Sequence, residues 1–164
     1  DYNGKKNMWY YEMGHLGFNY RLTDFQSALG ISQLRKINNI IKKKRIIAKL
    51  YDKKLSNNNL ISIPAHQSDI IHAYHLYTIM VDFKKLGKTR NQVMEELRKK
   101  SIGTQVLYIP IHYQPYYYNK YKYKIGSFPQ SEKYYNNCLS IPIFPDLSRK
   151  EINHIIKTLL KVIN

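Results

Sequence analysis

Between Asp24 and Leu55 apolar residues return at steps of three, four and seven: Leu34, Ile37, Ile41, Ala48, Tyr51 and Leu55. At about 100° per residue these positions make one stripe on a single long helix. Thr23-Asp24-Phe25-Gln26 opens it with the pattern of a capping box, and Ser56-Asn57-Asn58-Asn59 stops it. Beyond it the period changes. Ile61 to Ile63, Tyr74 to Phe83, Thr104 to Ile111 and Leu139 to Ile143 are short runs of β-branched and aromatic residues, and each predicts a strand. Helices are predicted after Thr89-Arg90-Asn91-Gln92, ending near Gly103, from about Pro129, and after Ser148-Arg149-Lys150-Glu151. In the last of these Ile152, Ile155, Ile156 and Leu159 form the buried face. Residues 1–21 and the segment HYQPYYYNKYKYKIGSF read as ordered aromatic loops. The pattern as a whole predicts an α+β fold, with a long connecting helix and helices on one face of a mainly antiparallel sheet. The connector is too long for so small a domain unless it also packs on something outside these residues.

Composition narrows the picture. A length of 164 residues with 43% apolar content closes one hydrophobic core. No apolar run is long enough for a membrane span, and the first residues lack the order of a signal peptide, so a cytoplasmic protein with no membrane partner is expected. A single cysteine, Cys138, excludes an internal disulfide and a cysteine zinc cluster. The balance of 27 basic to 11 acidic residues, +16, raises nucleic acid as a partner. The excess is nearly all lysine, and it accompanies an equal surplus of Asn, Ile and Tyr, as a base bias in the gene would produce. A nucleic-acid partner is therefore not expected, although a basic nucleic-acid-binding module remains the alternative from a different class.

Common nucleotide, zinc-protease and serine-hydrolase motifs are missing. His66, His72 and His75 lie close together but lack the cysteine or carboxylate partners of a metal site. Lys42-Lys43-Lys44-Arg45 reads as a solvated helix face, with Lys44 inside the stripe and its stem reaching to water. Two clusters carry more. Gly17-Phe18-Asn19-Tyr20-Arg21 sets an amide, a ring and a guanidinium directly before a capped helix; Arg21 can fork onto an anion or pair with Asp24. Tyr108-Ile109-Pro110-Ile111-His112-Tyr113-Gln114-Pro115-Tyr116-Tyr117 gathers hydroxyl-bearing rings around an imidazole. Such rings suit a sugar or a nucleotide base, and equally a packed aromatic loop.

The string GFNYRLTDFQSALGISQLRKI resembles the DegT/DnrJ/StrS family of sugar aminotransferases, in which G-x-N-Y-R-x-[TS]-D-x-Q-A-A-x-G-x-x-Q-L enters a long interdomain helix. AYHLYTIMV, IGTQVLYIPIHYQPYY and FPQSEKYYNNCLSIPIFPDLS extend the similarity over nearly the whole chain. YIPIH with QPYY is most similar to the branch that aminates a UDP-sugar for pseudaminic-acid biosynthesis. Ser27 replaces the usual alanine, small for small. The resemblance implies the C-terminal small domain of a fold-type I transferase dependent on pyridoxal 5'-phosphate. Residues 1–22 would then end the large domain in an active-site loop, 23–56 would be the interdomain helix, and 57–164 the small α+β domain. It also implies a homodimer with shared active sites, using a UDP-sugar and glutamate. Asn19 would reach the phosphate of the partner's cofactor, with Arg21 on the substrate side and Tyr20 placing the loop. His112, Tyr108 and Tyr117 would line the sugar-nucleotide pocket. The lysine that carries the cofactor belongs, by the same resemblance, to an N-terminal domain outside these residues. The chain alone is accordingly expected to be inactive, and an inactive remnant of a split gene is a further alternative.

Overall fold

A computed structural model describes Gly4, residues 8–65 and residues 69–164. His66 lies outside the described residues. Among the described residues seven α-helices and three strands follow one another: α1 (Asp24–Leu34), α2 (Ile37–Leu55), β1 (Ile61–Ser62), β2 (Tyr77–Val81), α3 (Phe83–Leu86), α4 (Arg90–Arg98), α5 (Pro115–Tyr121), α6 (Pro129–Asn137), β3 (Cys138–Ile141) and α7 (Arg149–Ile163). The chain divides into two compact units, residues 1–36 and residues 37–164.

In the first unit an irregular segment leads into α1. Thr23 begins the helix as expected: its Oγ1 accepts from the Gln26 N–H at 3.3 Å, and Gln26 Oε1 accepts from the Thr23 N–H at 2.9 Å. Two backbone donors at the start of the helix are thereby satisfied. None of the residues of α1 is buried, and Phe25 is 81% exposed.

The second unit owns the core. The strands pair antiparallel in the order β1-β2-β3, with Ile61 opposite Val81 and Tyr77 opposite Ile141. Alternation in β2 puts Tyr77, Ile79 and Val81 into the core, while Thr78 and Met80 are half-buried. That core also takes Ile47, Ala48, Tyr51 and Leu55 of α2, Val93 and Leu97 of α4, and six residues of α7 from Ile152 to Ile163. Each such aliphatic side chain contributes about 1.5–3 kcal/mol by leaving water. Capping boxes at Thr89 and Ser148 start α4 and α7 where the sequence places them. The fold is thus the small α+β arrangement that the pattern predicts.

Three local expectations change. The single helix from Asp24 to about Leu55 is two helices, because the Lys36 N–H bonds back three residues to Gln33 O and Arg35–Lys36 form a turn. Its stripe is buried only from Ile47 onward; Leu34 is exposed. Thr104 to Ile111 is not a strand: Gln105 exchanges two hydrogen bonds with Ser140, at 3.1 and 2.9 Å, and pairing ends there. Pro110 offers no N–H to carry the ladder on. The aromatic segment expected as a loop contains a 3-10 turn, Ile111–Tyr113, and α5, for which Pro115 supplies the preset first position.

Candidate functional site

In the first unit, Asn19, Tyr20 and Arg21 share one shallow hollow of ≈ 540 Å³ with Met13, His15 and Phe18. The backbone N–H of Arg21 donates to Asn19 Oδ1 at 3.3 Å. This local turn uses one lone pair of the amide oxygen and leaves its Nδ2 donors free. The Phe18 and Tyr20 rings lie 5.6 Å apart, and Tyr20 is exposed. Among the described residues no ion pair joins Arg21 to Asp24 or to any other acid. The loop therefore displays an amide donor and a guanidinium, both exposed, with no carboxylate competing for them.

In the second unit, His112 and Tyr117 line a hollow of ≈ 350 Å³ together with Tyr121, Tyr123, Phe128 and Ser131. The rings are ordered against one another: Tyr117 stacks on Tyr121 at 6.4 Å, Tyr121 meets Tyr123 at 5.9 Å, and Phe128 meets both Tyr123 and His112, at 5.1 and 4.8 Å. Tyr108 is 72% exposed and is not among these lining residues.

His112 itself is buried and bonds through Nε2 to Glu132 Oε1 at 2.9 Å. Glu132 also accepts from the Gly126 N–H, 2.9 Å to each oxygen, and from the Phe128 N–H at 3.3 Å. Burial pushes its carboxyl up, but these backbone donors, with His112 and the Tyr113 hydroxyl, outweigh burial and hold it below the ordinary carboxylate range. The same contact, added to burial, raises the Tyr113 phenol. Sequence reasoning passes over Glu132, His15, Tyr121, Tyr123 and Phe128. An acid three residues past a helix-opening proline is the signal that finds Glu132, since carboxylates favour a helix's first turn.

Elsewhere the side chains with unusual chemistry are structural. Lys44 Nζ donates to the His75 carbonyl at 3.3 Å, and burial lowers its pKa. His72 Nδ1 accepts from the Tyr74 N–H at 2.9 Å. Among the described residues no three His, Cys, Asp or Glu side chains are grouped to hold a metal ion, and no helix is long and apolar enough to cross a membrane.

Residues 2–160 match the DegT/DnrJ/EryC1/StrS aminotransferase family. The spore coat polysaccharide biosynthesis protein SpsC of Bacillus subtilis is 34% identical over 156 residues, 94% of this chain. Among solved structures, Helicobacter pylori PseC, an aminotransferase involved in the biosynthesis of pseudoaminic acid, superposes with a TM-score of 0.85 at 28% identity. It covers 97% of this chain and 42% of its own. Spr1654 of Streptococcus pneumoniae, solved in its PLP-form, shares the fold with a TM-score of 0.83 at 24% identity, covering 94% of this chain and 39% of its own. The chain spans about 40% of the length of the curated relatives that it matches. With the match extending over both the donor-bearing loop and the aromatic hollow, the chain belongs to the DegT/DnrJ/EryC1/StrS aminotransferase family.

Proposed function

We propose that this chain is the C-terminal part of a cytoplasmic aminotransferase that moves an amino group from glutamate to a 4-keto-6-deoxy UDP-sugar. The complete enzyme is a homodimer with shared active sites, and pyridoxal 5'-phosphate is its cofactor. One observation carries the assignment: in a chain that matches a sugar-aminotransferase family over residues 2–160, the loop before α1 shows Asn19 and Arg21 exposed and unopposed by any acid. That donor set fits a phosphate, because the Asn19 amide N–H and the Arg21 guanidinium both donate and no carboxylate competes for them. The bound cofactor supplies the electron sink for amino transfer. Asn19 holds its phosphate from the neighbouring subunit, Arg21 faces the anionic substrate, and Tyr20, packed on Phe18, keeps the loop in shape. His112 and Tyr117 line the sugar-nucleotide pocket. A net charge of +16 draws both the cofactor phosphate and the substrate diphosphate.

The lysine that would hold the cofactor covalently is assigned to the preceding domain. Such a lysine needs a closed, desolvated setting. No described lysine is buried; the two half-buried ones, Lys44 and Lys88, are committed to the His75 carbonyl and to Glu96 with the Val162 carbonyl. The test is amino transfer from glutamate to a panel of 4-keto-6-deoxy nucleotide sugars, by the complete protein and by residues 1–164 alone. Transfer by the first and none by the second is expected. A complete protein inert toward every keto-sugar, or an active isolated chain, overturns the proposal.

A further inference from the structure

Three polar side chains are buried among the described residues, and two of them, His112 and Glu132, are bonded to each other. Burying a carboxylate is costly unless it is fully bonded. Glu132 meets that condition with donors from three directions: the imidazole of His112, the backbone of Gly126 and Phe128, and the Tyr113 hydroxyl. Gly126 adopts φ +93, a conformation open to glycine, and this turn brings its N–H to the carboxylate. A helix cap alone needs only the backbone donors. The histidine is the surplus.

An ionised carboxylate only accepts hydrogen bonds, so the nitrogen of His112 facing Glu132 must carry the proton. The neutral ring is then the Nε2–H tautomer, and Nδ1 keeps a lone pair. Nδ1 has no hydrogen-bond partner among the described residues. No buried side-chain nitrogen or oxygen there is left unpartnered, so Nδ1 reaches the surface of a ring that lines the aromatic hollow. The other wall is held by the same carboxylate, since Phe128 is a lining residue and its N–H is bonded to Glu132.

We propose that Glu132 is a positioning residue for the substrate hollow. It fixes His112 as an acceptor, through Nδ1, for a hydroxyl of the sugar, and in the same contact fixes the Gly126–Phe128 wall. This rests on the sugar-nucleotide assignment of the hollow made above.

Glu132→Gln in the complete enzyme separates this role from capping. Oε1 receives His112, Phe128 and one Gly126 contact, so an amide that turns its NH2 to His112 keeps only the Gly126 N–H, on its oxygen at the Oε2 position, and moves the ring's proton to Nδ1, turning the sugar-facing acceptor into a donor. The expected result is a rise of about tenfold to a hundredfold in KM for the nucleotide sugar, with KM for glutamate unchanged. In a His112→Ala background the same substitution adds no more than about twofold, because the two groups act as one. Equal losses toward both substrates, or full additivity with His112→Ala, would mean that Glu132 is only a cap. Histidine 15N spectra of the wild-type enzyme provide a measurement that does not depend on the variant folding: a protonated Nε2 and a bare Nδ1 on His112 agree, and the reverse tautomer overturns the proposal. An active wild-type enzyme whose Glu132→Gln variant keeps its sugar KM sinks this inference alone; a wild-type enzyme inert toward nucleotide sugars sinks the proposed function as well.

Discussion

Arg21 is exposed and paired with no acid among the described residues, so removing its guanidinium tests recognition without testing the fold. Arg21→Ala should change stability by less than about 0.5 kcal/mol, as surface substitutions do. In the complete enzyme it should lower kcat/KM by about tenfold or more, the worth of one charged hydrogen bond. Wild-type turnover in that variant refutes the role. The buried phenols behave oppositely. The Tyr77 hydroxyl donates to Asp52 Oδ1 at 2.6 Å, and the Tyr51 hydroxyl to the Pro142 carbonyl at 2.8 Å. Burial raises both phenols well above the ordinary tyrosine value, and Asp52 raises Tyr77 further. A raised folded-state pKa contributes stability that is fully present below the unfolded value of about 10 and is lost as pH climbs past it. Denaturant melts should therefore weaken above pH 10 by up to about 1.4 kcal/mol per unit for each phenol. Tyr77→Phe should flatten that slope, and an unchanged slope contradicts the assignment.

Among the elements, α1 and α7 begin with the same capping chemistry and differ in what they bury. Six residues of α7 are buried, none of α1. Leu159→Ala should cost about 2–5 kcal/mol in residues 1–164, because Leu159 is fully enclosed, whereas Leu29→Ala on α1 should be close to neutral there. Paired urea melts check this; equal losses contradict the description of the core. The contrast also explains what the sequence reveals. All three capping boxes mark real helix starts, since a Thr or Ser hydroxyl with Gln or Glu three residues on is a local and self-contained signal. The turn at Arg35–Lys36 is not legible, because hydrophobic spacing continues through it while burial begins only at Ile47. Thr104 to Ile111 has strand composition, yet only Gln105 finds a partner, in Ser140; pairing depends on a neighbour distant in sequence. For the sites, the loop residues and His112 can be read from motifs. Glu132 is marked only as an acid in the first turn after Pro129, and its bond to His112, twenty residues away, is not legible.

At the scale of the molecule, the two features left without partners are charge and apolar surface. The first unit exposes Trp9, Tyr11, Met13, Leu16, Phe18 and Phe25, far more than a self-sufficient surface leaves uncovered. The chain also spans about 40% of its curated relatives. Both observations fit the proposal that this chain is the C-terminal part of a larger enzyme. A crystal structure of the complete protein with pyridoxal phosphate and a nucleotide sugar tests this most directly. The expected result is Asn19 Nδ2 about 3 Å from a phosphate oxygen of the cofactor in the neighbouring subunit, with Arg21 beside the sugar nucleotide. Asn19 and Arg21 facing open solvent, remote from both ligands, would contradict it.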